Sequence, residues 1–321
     1  MTEIPLKARS RPTFWRTLGT LLALGLLVYL LSKQGWGEIW QAVQEIAIWR
    51  VALAMAIMMI SRLAVTGRWY TLLRSSGVKI SLGQTLQITF AGLFSSNFLP
   101  TTIGGDVIRL AGALQLKLDP AISAASLIVD RLVGMTGMAM VLPFGLPSFL
   151  RANFPDLVFD GASLTLAVGS VSAFQRLRQH AWWKKGVRIV KKVVEAVSLW
   201  LKQPGALALS LLFTWIHMLC LFGVLALLFD GMGEHVPLWL IGGLYSLVYF
   251  VTLMPISING YGLQEISMTF VFSSLANVSV SSGLTAALMF RTLMMTASLP
   301  GAVFVPALLP GAKPESVETP E

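Results

Sequence analysis

The sequence predicts an all-α polytopic membrane protein, with about six spanning helices plus two broken, re-entrant helical hairpins arranged as an inverted repeat. Three observations predict it. Hydrophobic residues make up 55% of the 321 positions and charged residues only 12%, about half the charged share of a soluble domain. The apolar residues run in blocks (18–31, 51–60, 207–229, and 284–309 around a single arginine), and about 20 apolar residues in a helix cross a bilayer. The alternating segments of about ten residues that build an outer-membrane barrel are absent.

Charge placement threads these blocks through the membrane. The formal charge is +9. Arg176, Arg178, Lys184, Lys185, Arg188, Lys191, Lys192 and Lys202 crowd into one window opposed only by Glu195, and basic loops stay on the cytoplasmic side. Lys7, Arg9, Arg11 and Arg16 put the N-terminus on that side too, as Arg68, Arg74 and Lys79 do for the end of the second block. The expected order begins with a cytoplasmic tail at 1–13, then spans at about 14–32 and 47–67, an excursion at 82–117, and spans at 120–145 and 157–173. It continues with a basic cytoplasmic segment at 174–203, a span at 205–229, an excursion at 237–277, a last span at 283–308 and a polar tail at 310–321. Residues 14–309 form one transmembrane domain with repeat-like halves at about 47–173 and 205–308. Both termini are expected in the cytoplasm of a cell with the protein in its inner membrane. The basic N-terminus and the apolar run after it are not followed by a small-residue cleavage site, so the first span is read as uncleaved. In segment 174–203, Val187, Val190, Val194 and Val197 recur at helical spacing among Trp182, Trp183 and Trp200, a pattern suited to the anionic inner leaflet. The basic charge is thus explained by topology, and nucleic acid is not an expected partner. Cys220 is the single cysteine, which excludes an intrachain disulfide.

The two excursions share a pattern. Pro100-Thr-Thr-Ile103-Gly104-Gly105-Asp106 in the first corresponds to Pro255-Ile-Ser-Ile258-Asn259-Gly260-Tyr261 in the second. After each comes an alanine-rich helix with an arginine at membrane depth: Ala124-Ala125 to Asp130-Arg131, and Ala286-Ala287 to Arg291. Proline ends a helical turn, and glycine opens backbone angles closed to other residues. Each motif should therefore end one half-helix and start another, with Asn97, Pro100, Pro255, Asn259, Gly260 and Gly262 as the helix-breaking positions. Broken backbone at membrane depth persists where protein buries it or where it lines a wet cavity. One excursion starts from the inside and the other from the outside. Inverted broken repeats of this kind build the substrate sites of many transporters.

Residues 97–109 resemble the signature of the lysylphosphatidylglycerol synthase transmembrane family, a flippase-like domain. Pro100, Gly104, Gly105, Asp106 and Arg109 carry the likeness, followed by Asp130-Arg131 and by a second block of Pro255, Gly260, Gly262 and Glu265. Asn259 departs from the more usual glycine, and asparagine also tolerates left-handed angles. The likeness runs from about Leu18 to about Pro306 and implies a stand-alone member without an aminoacyl-transferase domain. It implies lipid translocation, with membrane lipids as partners: an anionic phospholipid or a polyprenyl-phosphate-linked lipid.

Asp106, Arg109, Asp130, Arg131, Glu265 and Arg291 all fall in apolar surroundings. Each such charge costs about 2.5–3.5 kcal/mol on insertion scales unless it is paired or wetted. Asp130 and Arg131 point about 100° apart on a helix, so they should pair with different elements. Asp106 is expected near Arg131 or Arg291, and Glu265 near the other arginine. The arginines offer planar donors to phosphate, and Gly104-Gly105 present backbone N–H groups where a half-helix starts. Gly104, Gly105, Asp106, Arg109, Asp130, Arg131, Glu265 and Arg291 are thus the candidate substrate-binding residues. Arg62 and Arg68 can equally snorkel from the inner end of their span or face a cavity.

Other chemistries lack their residues. His180, His217 and His235 form no metal motif, no Walker loop points to ATP hydrolysis, and no nucleophile elbow appears. No cofactor and no catalytic residue is therefore expected. The leading expectation is a flippase-like transporter that binds a phosphate-containing headgroup between its two broken repeats and moves it between leaflets without ATP. The alternatives are an intramembrane enzyme acting on a lipid-linked phosphate, and a non-transporting scaffold for a partner in lipid or polysaccharide synthesis.

Overall fold

A computed structural model describes residues 44–99, 104–153, 200, 202–254 and 257–308. The expected spans at 14–32 and 157–173, both tails, Pro100, Pro255 and nearly all of the basic segment lie outside the described residues. Those described are helical, and no strand occurs among them. Two runs of four helices follow one another. The first is α1 (Ile48–Ser75), α2 (Leu82–Ser96), α3 (Gly104–Gln115) and α4 (Pro120–Asn153). The second is α5 (Pro204–Gly231), α6 (Leu238–Thr252), α7 (Leu263–Ala276) and α8 (Val280–Ser298), closed by 3-10 turn Leu299–Val303 and a short turn Val305–Leu308.

Among the described residues, four stretches are long and apolar enough to cross a membrane: Ile48–Ser75, Pro120–Leu150, Pro204–Gly231 and Val280–Val303. They are α1, α4, α5 and α8, the outer members of each run. The inner members are short. α2 and α6 have 15 residues each, α3 has 12 and α7 has 14. At 1.5 Å per residue each spans about 18–23 Å, less than the roughly 30 Å of a hydrocarbon core. α2 packs on α3, and α6 on α7.

Local signals set the ends. Ser81 and Gln84 form a capping box at the start of α2, which satisfies two backbone donors reciprocally. Lys117, with φ 56°, turns the chain from α3 into α4, and the Leu118 N–H closes on the Ala113 carbonyl at 3.1 Å. Asn277, with φ 56°, ends α7, and Ser279 caps α8 through the Ser282 N–H at 3.1 Å.

α1 and α5 form an antiparallel pair. Arg50 meets Asp230 at one end. Ser61 Oγ lies 2.7 Å from His217 Nδ1 midway, and Arg68 donates to Thr214 at 3.3 Å further along. Gly67 lets Phe213 in, since a Cβ there would meet the ring at 2.7 Å. The main core gathers Met58, Met218, Leu225, Phe229, Phe272 and Phe290 from α1, α5, α7 and α8. α4 and α6 touch at Gly145 and Gly243, where a Cβ on Gly243 would sit 2.1 Å from the Gly145 nitrogen. Small residues permit such backbone contact between membrane helices, where dispersion must replace the hydrophobic effect.

Two boundaries differ from expectation. α1 runs to Ser75 instead of ending near residue 67. Trp69, Leu72 and Leu73 prolong its buried face, so Arg62 and Arg68 are interior residues and do not snorkel. α4 continues past residue 145 to Asn153, with Pro143 and Pro147 inside the helix.

Candidate functional site

The site is assembled around the start of α3. Gly92 of α2 and Gly105 of α3 bring the two backbones together: a Cβ on Gly105 would lie 2.6 Å from the Gly92 carbonyl oxygen. A Cβ on Gly92 would meet Arg109 Cγ at 2.7 Å, so the arginine stem lies across the glycine. Asp106 and Arg109, three residues apart, share one helix face. The guanidinium of Arg109 rests 4.3 Å from the Trp69 ring centroid, a cation–π placement. Trp69 is itself held by its indole N–H, which donates to Ser126 at 3.0 Å.

Asp130, 1% exposed, sits at the centre. It accepts from Arg68 Nε at 2.7 Å, from Arg68 Nη2 at 3.2 Å and from Arg109 Nη1 at 3.0 Å. The Arg68 fork is bidentate, the strongest geometry for this pair. Arg109 Nη1 also donates to Asp106 at 3.1 Å, and Arg131 Nε donates to the other Asp106 oxygen. The charges thus alternate along one connected chain: Arg68, Asp130, Arg109, Asp106, Arg131. As expected, Asp106 pairs with Arg131, and the neighbours Asp130 and Arg131 turn to different partners.

A cavity of about 140 Å³ opens beside this chain, lined by Thr89, Gly92, Gly105, Asp106, Arg109 and Arg131 among others. The Nε and Nη2 of Arg109 and the hydroxyl of Thr89 are buried with no hydrogen-bond partner in the protein. Buried donors carry a free-energy penalty when left unpaired, and Arg109 and Thr89 both belong to the wall of this cavity.

The second break holds a smaller network. Arg291 Nε pairs with Glu265, its Nη2 reaches the Gly260 carbonyl and Gln264 Oε1 at 3.0 Å each, and the guanidinium lies 4.8 Å from the Tyr261 ring centroid. Asn259, Gly260 and Gly262 have φ of 50°, 71° and 74°. The break is therefore left-handed backbone, and asparagine serves there as anticipated. The eight candidate residues fall into these two groups, six at the first break and two at the second.

The breaks touch. The Tyr261 hydroxyl donates to the Asn97 carbonyl at 2.6 Å, and Asn97 Nδ2 donates to Ser298 at 2.8 Å. Arg62, 5% exposed, stands between the groups with one long bond of 3.4 Å to the Met294 carbonyl. Its Nε has no partner. Five arginines (Arg62, Arg68, Arg109, Arg131, Arg291) thus face three carboxylates (Asp106, Asp130, Glu265), leaving two positive charges over among these residues.

Sequence reasoning gave no role to Thr89, Trp69, Tyr261 or Gln264, and left Arg62 and Arg68 undecided. For the arginines a signal existed in the apolar Trp69, Leu72 and Leu73 that follow them. A threonine hydroxyl in an apolar helix carries no such pattern. Among the described residues no three histidine, cysteine or carboxylate side chains gather as a metal site would require.

No curated protein matches the chain at a significant level. A family model described as the lysylphosphatidylglycerol synthase TM region matches residues 16–301, which covers both runs of helices and every candidate site residue. This multi-pass membrane protein therefore belongs to the lysylphosphatidylglycerol synthase transmembrane-region family, whose members are associated with membrane lipids.

Proposed function

We propose that the protein is a lipid transporter. It takes the phosphate of a lipid headgroup into the cavity beside Arg109 and carries it between leaflets without ATP, by rocking one run of helices against the other. The lipid is an anionic phospholipid or a polyprenyl-phosphate-linked lipid. The observation that supports the reading is that Arg109 and Thr89, whose Nε, Nη2 and hydroxyl are buried without partners, belong to the wall of one cavity with Gly105 in the first turn of α3. A phosphate oxygen satisfies such donors, and helix N-termini favour anions. The surplus of interior arginines supports the same sign of ligand. In this reading the two short helix pairs are re-entrant, the runs are inverted relative to each other, and both termini face the cytoplasm of the inner membrane, following the basic residues.

The test is movement of labelled phosphatidylglycerol, and separately of a labelled polyprenyl phosphate, in vesicles containing purified protein. Wild type should move at least one of them. Arg109→Gln should slow it about tenfold or more, because a hydrogen bond to a charged group is worth about 1.5–3 kcal/mol. Asp106→Asn and Arg131→Gln should also slow it. A chemically altered lipid would favour an enzyme instead. Unchanged function in folded Arg109→Gln protein would favour a scaffold.

A further inference from the structure

A second cavity adjoins the first and differs from it in kind. It lies between α3 and α4, measures about 280 Å³, and is lined by Val107, Leu110, Ala124, Leu127 and Ile128, with Asp106 and Arg131 at its edge. The same Asp106 and Arg131 line the polar cavity. One ion pair therefore lines two spaces, one walled by Thr89, Arg109 and glycine backbone and one walled by hydrocarbon. The apolar space faces outward: Val107 is 59% exposed and Ile128 39%. α4 is one of the four described helices long and apolar enough to span a bilayer, so acyl chains are the expected neighbours of this slot.

We propose that the α3–α4 slot holds the hydrocarbon chain of the lipid whose phosphate occupies the Arg109 cavity, and that the lipid comes in sideways from the bilayer through this slot. The proposal rests on reading the Arg109 cavity as a phosphate site. A free phosphate ion and a lipid phosphate are alike to Arg109, but only the lipid has a use for a hydrocarbon wall within one side chain of the charge. The slot adds little affinity, since a chain leaving the bilayer for a protein groove exchanges one apolar medium for another. It fixes orientation: the tail stays in hydrocarbon while the charged end avoids it, which matters because a bare charge in hydrocarbon is costly. Asp106 and Arg131 then act as the partition. An arriving phosphate replaces the Asp106 carboxylate on Arg131, one charge-assisted pair for another of similar strength, so the partition opens by exchange and leaves no bare charge.

The experiment uses the full chain in phosphatidylcholine vesicles containing phosphatidylglycerol with a diazirine in its acyl chain. Photolysis followed by mass spectrometry maps the labelled residues. Label concentrated on Val107, Leu110, Leu127 and Ile128 is expected. Label spread evenly over outward-facing residues of all the spans, Leu53 and Leu212 included, would overturn the proposal. So would suppression of the label by glycerol 3-phosphate as complete as that by unlabelled phosphatidylglycerol, since the chain would then add nothing. Ala124→Trp fills the slot and should slow phosphatidylglycerol movement about tenfold, equivalent to about 1.4 kcal/mol. Phe144→Trp, an exposed position on α4 away from the slot, should not. Equal movement in Ala124→Trp and wild type overturns the slot while leaving the transporter reading in place. Concentrated label in a wild type that moves no lipid upholds the slot as a lipid site and removes the transporter reading.

Discussion

The two breaks have the same order of motifs and opposite solutions to the same problem. At the first, glycine is used for closeness: Gly92 and Gly105 bring helices into backbone contact, and Arg109 crosses the join. At the second, the chain is turned by left-handed backbone at Asn259, Gly260 and Gly262. The first holds a five-membered chain of charges with a cavity beside it. At the second, one arginine is held by a carboxylate, a carbonyl, an amide and an aromatic ring. The comparison teaches that a repeated motif does not guarantee a repeated role. The same signal in the sequence leads to a cavity beside a chain of charges in one run of helices and to a left-handed turn held by one arginine in the other.

The largest expected effect falls on the first break. Asp130→Asn leaves Arg68 and Arg109 buried without their shared carboxylate, and breaking a buried pair from one side costs about 3–5 kcal/mol. Thermal unfolding in detergent should show a large fall for this variant, partly restored by adding Arg68→Met. Glu265→Gln should cost less, about 1.5–3 kcal/mol, because Arg291 keeps Gly260, Gln264 and the Tyr261 ring. Equal losses in the two variants would erase the contrast between the breaks. Gly92→Ala should cost about 1–3 kcal/mol by overpacking. It should also slow lipid movement more than its stability loss explains, because the new methyl meets Arg109 and the Gly105 carbonyl. A parallel measurement of unfolding and transport separates the two effects. The smallest effect is expected at Asn259→Ala, about 1–2 kcal/mol for a left-handed residue with a Cβ and no local hydrogen bond, while Asn259→Gly should be close to neutral. If Asn259→Ala unfolds the protein, the second break is more than a turn.

Much of this is legible in the sequence. The blocks at 51–60, 207–229 and 284–309 became α1, α5 and α8, because long apolar runs leave a chain in a bilayer few choices. The cost of unpaired charge required Asp106 and Glu265 each to take one of Arg131 and Arg291, and the fold chose Asp106–Arg131 and Glu265–Arg291. Arg68 was obscured because it stands in a basic cluster beside Arg74, where the positive-inside pattern explains it without burial. The Thr89 cavity and the bond from Tyr261 to Asn97 were out of reach. They join residues far apart in the chain through shape, and neither hydroxyl disturbs the hydropathy around it.

The chain of charges at the first break has a parity. Five groups alternating in sign hold one more of one sign than of the other, and here the three are Arg68, Arg109 and Arg131 against Asp130 and Asp106. It therefore carries one positive charge whatever its geometry. Taking away either end makes it neutral. Taking away an inner carboxylate raises it to two, and taking away the inner arginine makes it neutral but leaves two separate pairs. One added anion makes the number of groups even and their sum zero. Such an arrangement answers to the charge of its visitor before it answers to shape, so a zwitterion and a monoanion of equal size would meet this site on different terms.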